Sequence, residues 1–497
     1  MLNIKNDREL FVDNYLIDTQ KTTAEKRIHH PVRREVVMCH DDPWEGSGTD
    51  YHNFFYDNGV WRMYYLGWWF QKEKFIGTYV CYAESLDGIH WIKPKLGICE
   101  FDGSKDNNII VDTELYGQRI DNFMVFRDDN PACPPAERYK AVASRYVTRN
   151  LSESELSEDT LAPYEKGGDN YNALGYYVSE DGLHWKKGGI VTSDGAFDSL
   201  NVIFWDSDAE KYRCYFRSAH TPGCNDSVHE FNESHIRDVR YIESDDFVHW
   251  TEPRILDFGE SEDIPLYTNV MQNYYRAPQI KVGFPSRYIY RRDWNGSFDE
   301  LCGKEARLER IKRNPRLGLT LTDCIFISTR NGWQFDRQDE AFIRPEPEDP
   351  YGWVYGTAYP ARGMIETPSD LPGADPEISM YVFEKHFSDQ PSDLTRYTIR
   401  ADGFVSMHAG ATEKSIVTKP FVFEGNELRI NFATSARGYV YVNLEAEDGT
   451  RLESCETFGN SIDRLIHFNG DLSSLSGKTV TMTVRLLDAD LYSFRFI

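Results

Sequence analysis

Short runs in which apolar and polar residues alternate, separated by Gly, Asp and Asn, recur along most of the chain. A period of two predicts strands, and the separators predict turns. Asn53-Phe-Phe-Tyr56, then Asp57-Asn-Gly59, then Trp61-Arg-Met-Tyr-Tyr65 reads as a hairpin. Its Asn-Gly tolerates the positive φ of a tight turn. The unit returns as Phe123-Met-Val-Phe126 with Tyr139-Lys-Ala-Val-Ala143, and again as Val202-Ile-Phe-Trp205 with Tyr212-Arg-Cys-Tyr-Phe216. One convincing helix is predicted over 298–316, where Glu, Lys and Arg crowd together on what reads as a solvated face. The acidic stretch 151–160 and the stretch 224–235 are expected to be loops.

A second pattern follows each hairpin. It reads Tyr82-Ala-Glu-Ser-Leu-Asp-Gly-Ile-His-Trp91, then Tyr177-Val-Ser-Glu-Asp-Gly-Leu-His-Trp185, then Tyr241-Ile-Glu-Ser-Asp-Asp-Phe-Val-His-Trp250. Ile325-Phe-Ile-Ser-Thr-Arg-Asn-Gly-Trp333 is a degenerate fourth copy. Serines 85, 179, 244 and 328 lie 94, 65 and 84 residues apart, which is a repeat with variable insertions. Each repeat holds about four strands, the content of a β-propeller blade. A fifth unit is predicted over 356–387, with strands around 361–365 and 378–383, and Leu10-Phe-Val12 is expected to supply a strand that closes the ring. The motif itself is read as structural: Asp-Gly turns the chain, Ser hydrogen-bonds locally and Trp fills space between blades. His90, His184 and His249 then fall in different blades and form no common metal site.

Near Ser388-Asp-Gln-Pro-Ser-Asp393 the blade signature ends, and about a hundred residues of alternating strands follow, as in Gly438-Tyr-Val-Tyr-Val-Asn-Leu444 and Val480-Thr-Met-Thr-Val-Arg-Leu486. This texture predicts a β-sandwich. The expected fold is all-β, a five-bladed β-propeller over 1–390 followed by a C-terminal β-sandwich over 395–497.

Composition fits that reading. The chain has 497 residues, too many for one core, with 40% hydrophobic and 14% aromatic residues. A net charge of −25 repels nucleic acid and anionic membranes, so neither is an expected partner. No apolar run is long enough to span a bilayer and the N-terminus lacks a signal core, so a cytoplasmic protein is expected. The nine Cys are scattered without a CxxC pair and read as reduced thiols. No cofactor or metal is expected, and no compact calcium-ligand motif occurs.

In a propeller the inner strands start around a central funnel, so polar residues at those starts converge. They are Asp50 in Gly48-Thr-Asp-Tyr-His52, Asp121 in Arg119-Ile-Asp-Asn122 and Asp198 in Phe197-Asp-Ser199. Carboxylates sharing one pocket push each other's pKa values apart, as an acid and a base or nucleophile for glycosidic cleavage require. On these residues the chain resembles the five-bladed propeller glycoside hydrolases, the group of families 32, 43, 68 and 117. Family 32 places its nucleophilic Asp nine residues before a hairpin Gly that precedes an aromatic strand. Asp50 stands nine residues before Gly59, and Trp61-Arg-Met-Tyr-Tyr65 follows. Ile120-Asp121-Asn122 resembles the Ile-Asp-Pro of family 43, which holds a transition-state-stabilising Asp. The terminal sandwich also resembles that of family 32, but the sequence signatures of that family are absent, so the resemblance is architectural more than motif-specific.

The resemblance implies a glycosidase acting on small non-reducing-end glycosides, furanosides among them. It implies Asp50 as nucleophile or base, Asp121 as transition-state stabiliser and Asp198 as acid. Both reference families use Glu as the acid, so Glu262, Asp263, Glu366 and Glu384 stand in reserve. Trp44, Asp42, His52, Asn201 and Arg276 are candidate substrate contacts. An oligosaccharide or glycoside is the expected partner, and self-association is left open. Two other readings of the scaffold are a non-catalytic carbohydrate-binding propeller and a glycoside phosphorylase, which needs a cationic phosphate pocket near the acids.

Overall fold

Five antiparallel sheets follow one another along the chain and close into a ring. The structure is a computed structural model that describes residues 2–46, 48–71, 74–112, 121–148, 170–228, 232, 234–386, 388 and 390–497. The side chains of 69–71, 74–77, 121, 145–148, 170, 171 and 313 are outside that description, as are the predicted loop at 151–160 and part of that at 224–235. The inner strands of the blades are Asp50–Asp57, Asp121–Arg127, Val202–Asp206, Gln272–Asn273 and Tyr359–Pro360. The helix predicted over 298–316 is three short ones, Gly296–Glu300, Lys304–Arg313 and Pro315–Leu319, inserted in blade four. Pro315 cannot continue the second helix, and Asn314 caps the third by accepting a hydrogen bond from Arg316 N. No helix among the described residues is long and apolar enough to cross a membrane.

The ring closes differently from the expectation. Blade five runs outward from Tyr359–Pro360 through Glu377–Glu384 and Ser392–Arg400 to Val32–His40. The closing strand is therefore Val32–His40, and Glu9–Leu10 pairs with Thr479–Phe496 in the C-terminal sheet. Val32–His40 carries Arg33, Arg34 and Glu35 because it is an outermost strand with an exposed face. An apolar pattern could not reveal it.

The unit boundaries shift for the same reason. Ser392–Arg400 pairs within blade five, so the change of unit follows Arg400 and not 390–395. Leu2–Lys5, Glu9–Leu10 and Glu25–Ile28 all join the C-terminal strands. That unit is a ten-stranded sheet built on two long antiparallel strands, Leu428–Ala446 and Thr479–Phe496, with one apolar core of its own. Asp402 ties it to the ring. The buried Asp402 carboxylate accepts from Arg8 (3.1 Å), Arg276 Nε (2.9 Å), Tyr274 Oη (2.5 Å) and Ser493 Oγ (2.6 Å). Burial pushes its pKa up, but the Arg276 and Arg8 guanidinia outweigh this and hold it below the ordinary value.

The repeated Ser-x-Asp-Gly-x-His-Trp is the turn between the third and fourth strands of a blade. Ser85 Oγ accepts from Asp87 N and Gly88 N, while Asp87 accepts from Ile89 N and from the backbone and ring of His90. Ser179, Asp181 and His184 repeat the pattern, as do Ser244, Asp246 and His249. In blade four the equivalent pair is Thr329 and Asn331, one residue beyond the Ser328 of the sequence reading. Each turn docks on the preceding blade. Tyr381 of blade five donates to Gly88 O, Arg62 of blade one to Asp181 O, and Tyr215 of blade three to Gly332 O. In blade three Phe247 replaces Gly at φ 68° and its ring packs edge-on against Tyr176 of blade two at 5.2 Å.

These turns predict a contrast that chemical denaturation measures. Ser85→Ala leaves two backbone donors without their acceptor and is expected to cost about 1–2 kcal/mol. His90→Ala, at an 85% exposed ring, is expected to stay within about 0.5 kcal/mol. Equal effects would contradict the division of roles within the motif.

Candidate active site

At the entry of each inner strand one non-glycine residue has a left-handed backbone. They are Tyr51 (φ 53°), Asn122 (60°), Phe197 (52°), Val270 (46°) and Ala358 (59°). Each costs about 1–2 kcal/mol, and backbone strain of this kind gathers at functional sites. In blades one and two it falls where the ladder register shifts, between Asp50 and Asn53 and between Asp121 and Met124. Buried asparagines fasten these entries together. Asn53 Oδ1 accepts from Val125 N of blade two, Asn122 Nδ2 donates to Phe197 O of blade three, and Asn269 of blade four donates to Leu200 O of blade three.

Asp50 begins the first inner strand and is 1% exposed. His386 Nε2 lies 3.9 Å from its Oδ2. Burial pushes the His386 imidazole down to about 3, with the nearby Arg310 charge adding to the shift, so His386 is neutral at pH 7. Tyr51 and Tyr359 stand within reach of the Asp50 charge. Burial, reinforced by neighbouring tyrosines and by Asp50, holds both phenols well above their ordinary pKa, so they remain hydroxyls.

Asp198 is placed differently from the other two acids. Asp50 and Asp121 precede the left-handed residue of their blade, whereas Asp198 follows it, so the blade-equivalent position is Ala196. The Asp198 side chain is 56% exposed and ion-paired with buried Arg217. Arg217 Cζ lies 5.6 Å from the Tyr267 ring centroid, and Tyr355 Oη donates to Tyr267 Oη at 2.9 Å. Tyr51 feels both Asp50 and Tyr267, and Tyr267 feels Asp198, so one tyrosine group links the two carboxylates. Asp121 begins its strand, but its side chain lies outside the described residues.

The candidate substrate contacts have other work. Trp44 is half-buried, donates Nε1–H to Asn108 Oδ1 at 2.7 Å and packs edge-on against Phe101. Asp42 pairs with Lys93 at 3.1 Å. Asn201 is buried and bound to Phe197 O, Ser199 O and Arg217 N. Arg276 is spent on Asp402 and Glu366 at the junction with the C-terminal sheet. His52 is buried against His40, with 2.9 Å between their Nε2 atoms. His40 Nδ1–H donates to Ser392 O, so its Nε2 accepts from His52. Among the reserve acids, Glu366 pairs with Arg276, Glu384 with Arg33, and Asp263 with His220 at 2.9 Å, while Glu262 is exposed.

Two other clusters are already satisfied. Asp41, Asp42 and Glu45 converge closely enough for a cation, and Lys93 Nζ occupies that role at 3.5, 3.1 and 2.8 Å. A cavity of about 520 Å³ beside blade five is lined by Arg33, Glu384, Lys385 and Asp393, which pair with one another.

Sequence reading missed Arg217, Arg237, Arg316, His386 and the tyrosines Tyr267, Tyr288, Tyr355 and Tyr359. A signal existed for the first two: they are charges inside the strands Lys211–His220 and Ile236–Ser244, which are otherwise almost wholly buried. Alternation places Arg217, Arg237 and the Ala219 paired with Arg237 on one sheet face.

No protein-family model and no curated protein matches the chain. Solved structures that resemble it include a GH32 β-fructofuranosidase of Bombyx mori, 11% identical over 95% of this chain and 94% of that one, with a TM-score of 0.39. A sucrose-6-phosphate hydrolase from Lactobacillus gasseri is 9% identical over 92% of each chain, with a TM-score of 0.42. A structure from the GH130 family of mannoside phosphorylases, which contains glycoside hydrolases that target β-1,2 mannosidic linkages in Candida mannan, is 13% identical over 76% of this chain and 96% of that one, with a TM-score of 0.40. Likeness at this distance says nothing of chemistry, which rests on the residues above.

Three of the four buried histidines, His40, His52 and His386, make stability fall as the pH is lowered. The fourth, His220, is raised by its hydrogen bond to Asp238, so its contribution changes only above pH 6.5, where it is lost as pH rises. Burial holds His40 and His386 at about 3 and His52 well below its ordinary value, against about 6.5 in the unfolded chain. Between those limits the unfolded state binds more protons. This contribution is therefore complete above pH 6.5 and is lost as pH falls, by about 1.4 kcal/mol per unit for each histidine. Unfolding free energies measured from pH 7.5 to 4.5 are expected to fall below 6.5, with about one proton less of slope in His386→Asn. An unchanged slope in the variant would contradict this.

Proposed function

We propose that the chain is a glycoside-processing enzyme, a hydrolase of small non-reducing-end glycosides with Asp50 as its reactive carboxylate. The observation that carries this reading is a 1% exposed carboxylate at the entry of an inner strand, next to the left-handed Tyr51 and beside a neutral imidazole. A carboxylate withdrawn from water is where proton transfer or nucleophilic attack gains from fixed geometry. The tyrosines offer neutral hydrogen-bond donors and apolar faces, the two surfaces that a sugar ring presents in turn.

In this reading Asp50 acts as nucleophile or base and Asp121, at the same point of blade two, stabilises the positive charge that develops on the sugar. Asp198 was the sequence-based acid. Its ion pair with Arg217 suits it to positioning rather than proton donation, so the acid role passes to the reserve set of Glu262, Asp263, Glu366 and Glu384. Furanosides are the first substrates to test.

The test is a panel of aryl glycosides, furanosides included, run with Asp50→Asn alongside. The variant is expected to lose turnover by about 10³-fold or more while ligand-induced melting shifts persist. Turnover equal to that of the unmodified protein would overturn the assignment. Melting shifts without turnover in either protein would favour a carbohydrate-binding propeller.

A further inference from the structure

The inner strands of blades five and one meet at Arg362. Its N donates to His52 O and its O accepts from Phe54 N, each at 2.8 Å. The two chains run parallel there, with Asn53 opposite Arg362. Tyr359 stands three residues before Arg362, as Asp50 stands three before Asn53, so the two open neighbouring strands side by side. The Tyr359 phenol accordingly lies within reach of the Asp50 charge, and burial with the neighbouring tyrosines keeps it a hydroxyl.

The ring of Tyr359 is fixed, but its hydroxyl is not used by the fold. Tyr359 pairs with Phe383 in the blade-five ladder, and its ring packs on Phe383 at 5.5 Å and on Tyr267 at 6.0 Å. The left-handed Ala358 (φ 59°) sets the backbone just before it. The residue is 2% exposed, yet its Oη has no hydrogen-bond partner among the described residues. Other buried tyrosines of the ring do have one: Tyr65 donates to Glu45, Tyr212 to Asp128 and Tyr215 to Gly332 O. A buried hydroxyl without a partner costs stability, and phenylalanine would pack the same ring without that cost. Stability given up in this way is the mark of a functional position, and a rigid ring with a free hydroxyl is organised for a ligand before the ligand arrives.

We propose that Tyr359 is a specificity-determining residue, whose hydroxyl binds the sugar hydroxyl on the ring carbon next to the anomeric carbon of the ligand at Asp50. That sugar hydroxyl is the one nearest the reacting bond, and hydrogen bonds to it strengthen as positive charge develops on the ring. The substrate class is then glycosides in which this hydroxyl is free. Sugars deoxygenated or acylated there leave the Tyr359 hydroxyl unpaired and are rejected. The assignment rests on the catalytic reading of Asp50.

Tyr359→Phe keeps the ring and removes only the hydroxyl. In the full chain its denaturation midpoint is expected to equal or exceed that of the unmodified protein, whereas Tyr65→Phe, which loses bonds to Glu45 and Asn108, falls. A fall in Tyr359→Phe to match that of Tyr65→Phe shows a hydroxyl that serves the fold, and overturns the inference. The second readout uses the aryl glycoside of the panel that is turned over fastest, together with its analogue deoxygenated at that carbon. Tyr359→Phe is expected to lose about tenfold or more in kcat/KM on the first and less than about threefold on the second. Equal losses on both, or none on either, overturn the inference. If Asp50→Asn keeps full turnover while Tyr359→Phe loses on the hydroxylated substrate alone, the catalytic reading fails and the specificity assignment stands. If Asp50→Asn loses turnover and Tyr359→Phe treats both substrates as the unmodified protein does, the assignment alone fails. Without turnover, ligand-induced melting shifts with the same pair decide: a shift lost in Tyr359→Phe supports the contact, and an unchanged shift overturns it. A panel that gives neither turnover nor shifts overturns the inference together with the reading it rests on.

Discussion

The ladder between Val32–His40 and Ser392–Arg400 turns five sheets into a ring. An open row of blades would leave two sheet edges and no fixed axis. Closure by the outermost strand also sets the start of the next segment. His40 ends the closing strand, binds Ser392 O and accepts from His52, two residues past Asp50. The position of Asp50 is thus inherited from the closure, through a buried and uncharged histidine pair.

The same economy runs around the ring. Each repeated turn is held by local Ser and Asp hydrogen bonds and docks on the preceding blade, while buried asparagines tie the strand entries to their neighbours. Five left-handed residues sit at those entries. Strain persists where the surroundings over-determine the backbone, and the asparagine ties supply that constraint. On the far side Asp402, held by Arg8 and Arg276, locks the N-terminal segment, blade four and the C-terminal sheet to one carboxylate.

Much of this was legible in the sequence, because turn chemistry and alternation are local. Ser85, Asp87 and Gly88 announce their turn by residue type, and the repeat gave the blade count. What was hidden depends on distant partners. Val32–His40 carries Arg33, Arg34 and Glu35 because it is an edge, and the first 28 residues join strands some 380 positions away or more. Asp198 looked equivalent to Asp50, yet it lies on the other side of a left-handed residue that is not glycine and so leaves no mark in the sequence. Arg276 looked like a ligand contact because its partner Asp402 is 126 residues on. Arg217 and Arg237 stood out as charges inside buried strands, but that they share one sheet face shows only once those strands are paired.

The central claim is that chemistry happens at Asp50. Its most direct test is diffraction from crystals of Asp50→Asn grown with a glycoside that the unmodified protein turns over. The expected result is a sugar ring in the funnel with its anomeric carbon facing the side chain at position 50 and its hydroxyls on Tyr51 or Tyr359. A sugar bound elsewhere on the propeller, with the Asp50 entry closed and unoccupied, would contradict it.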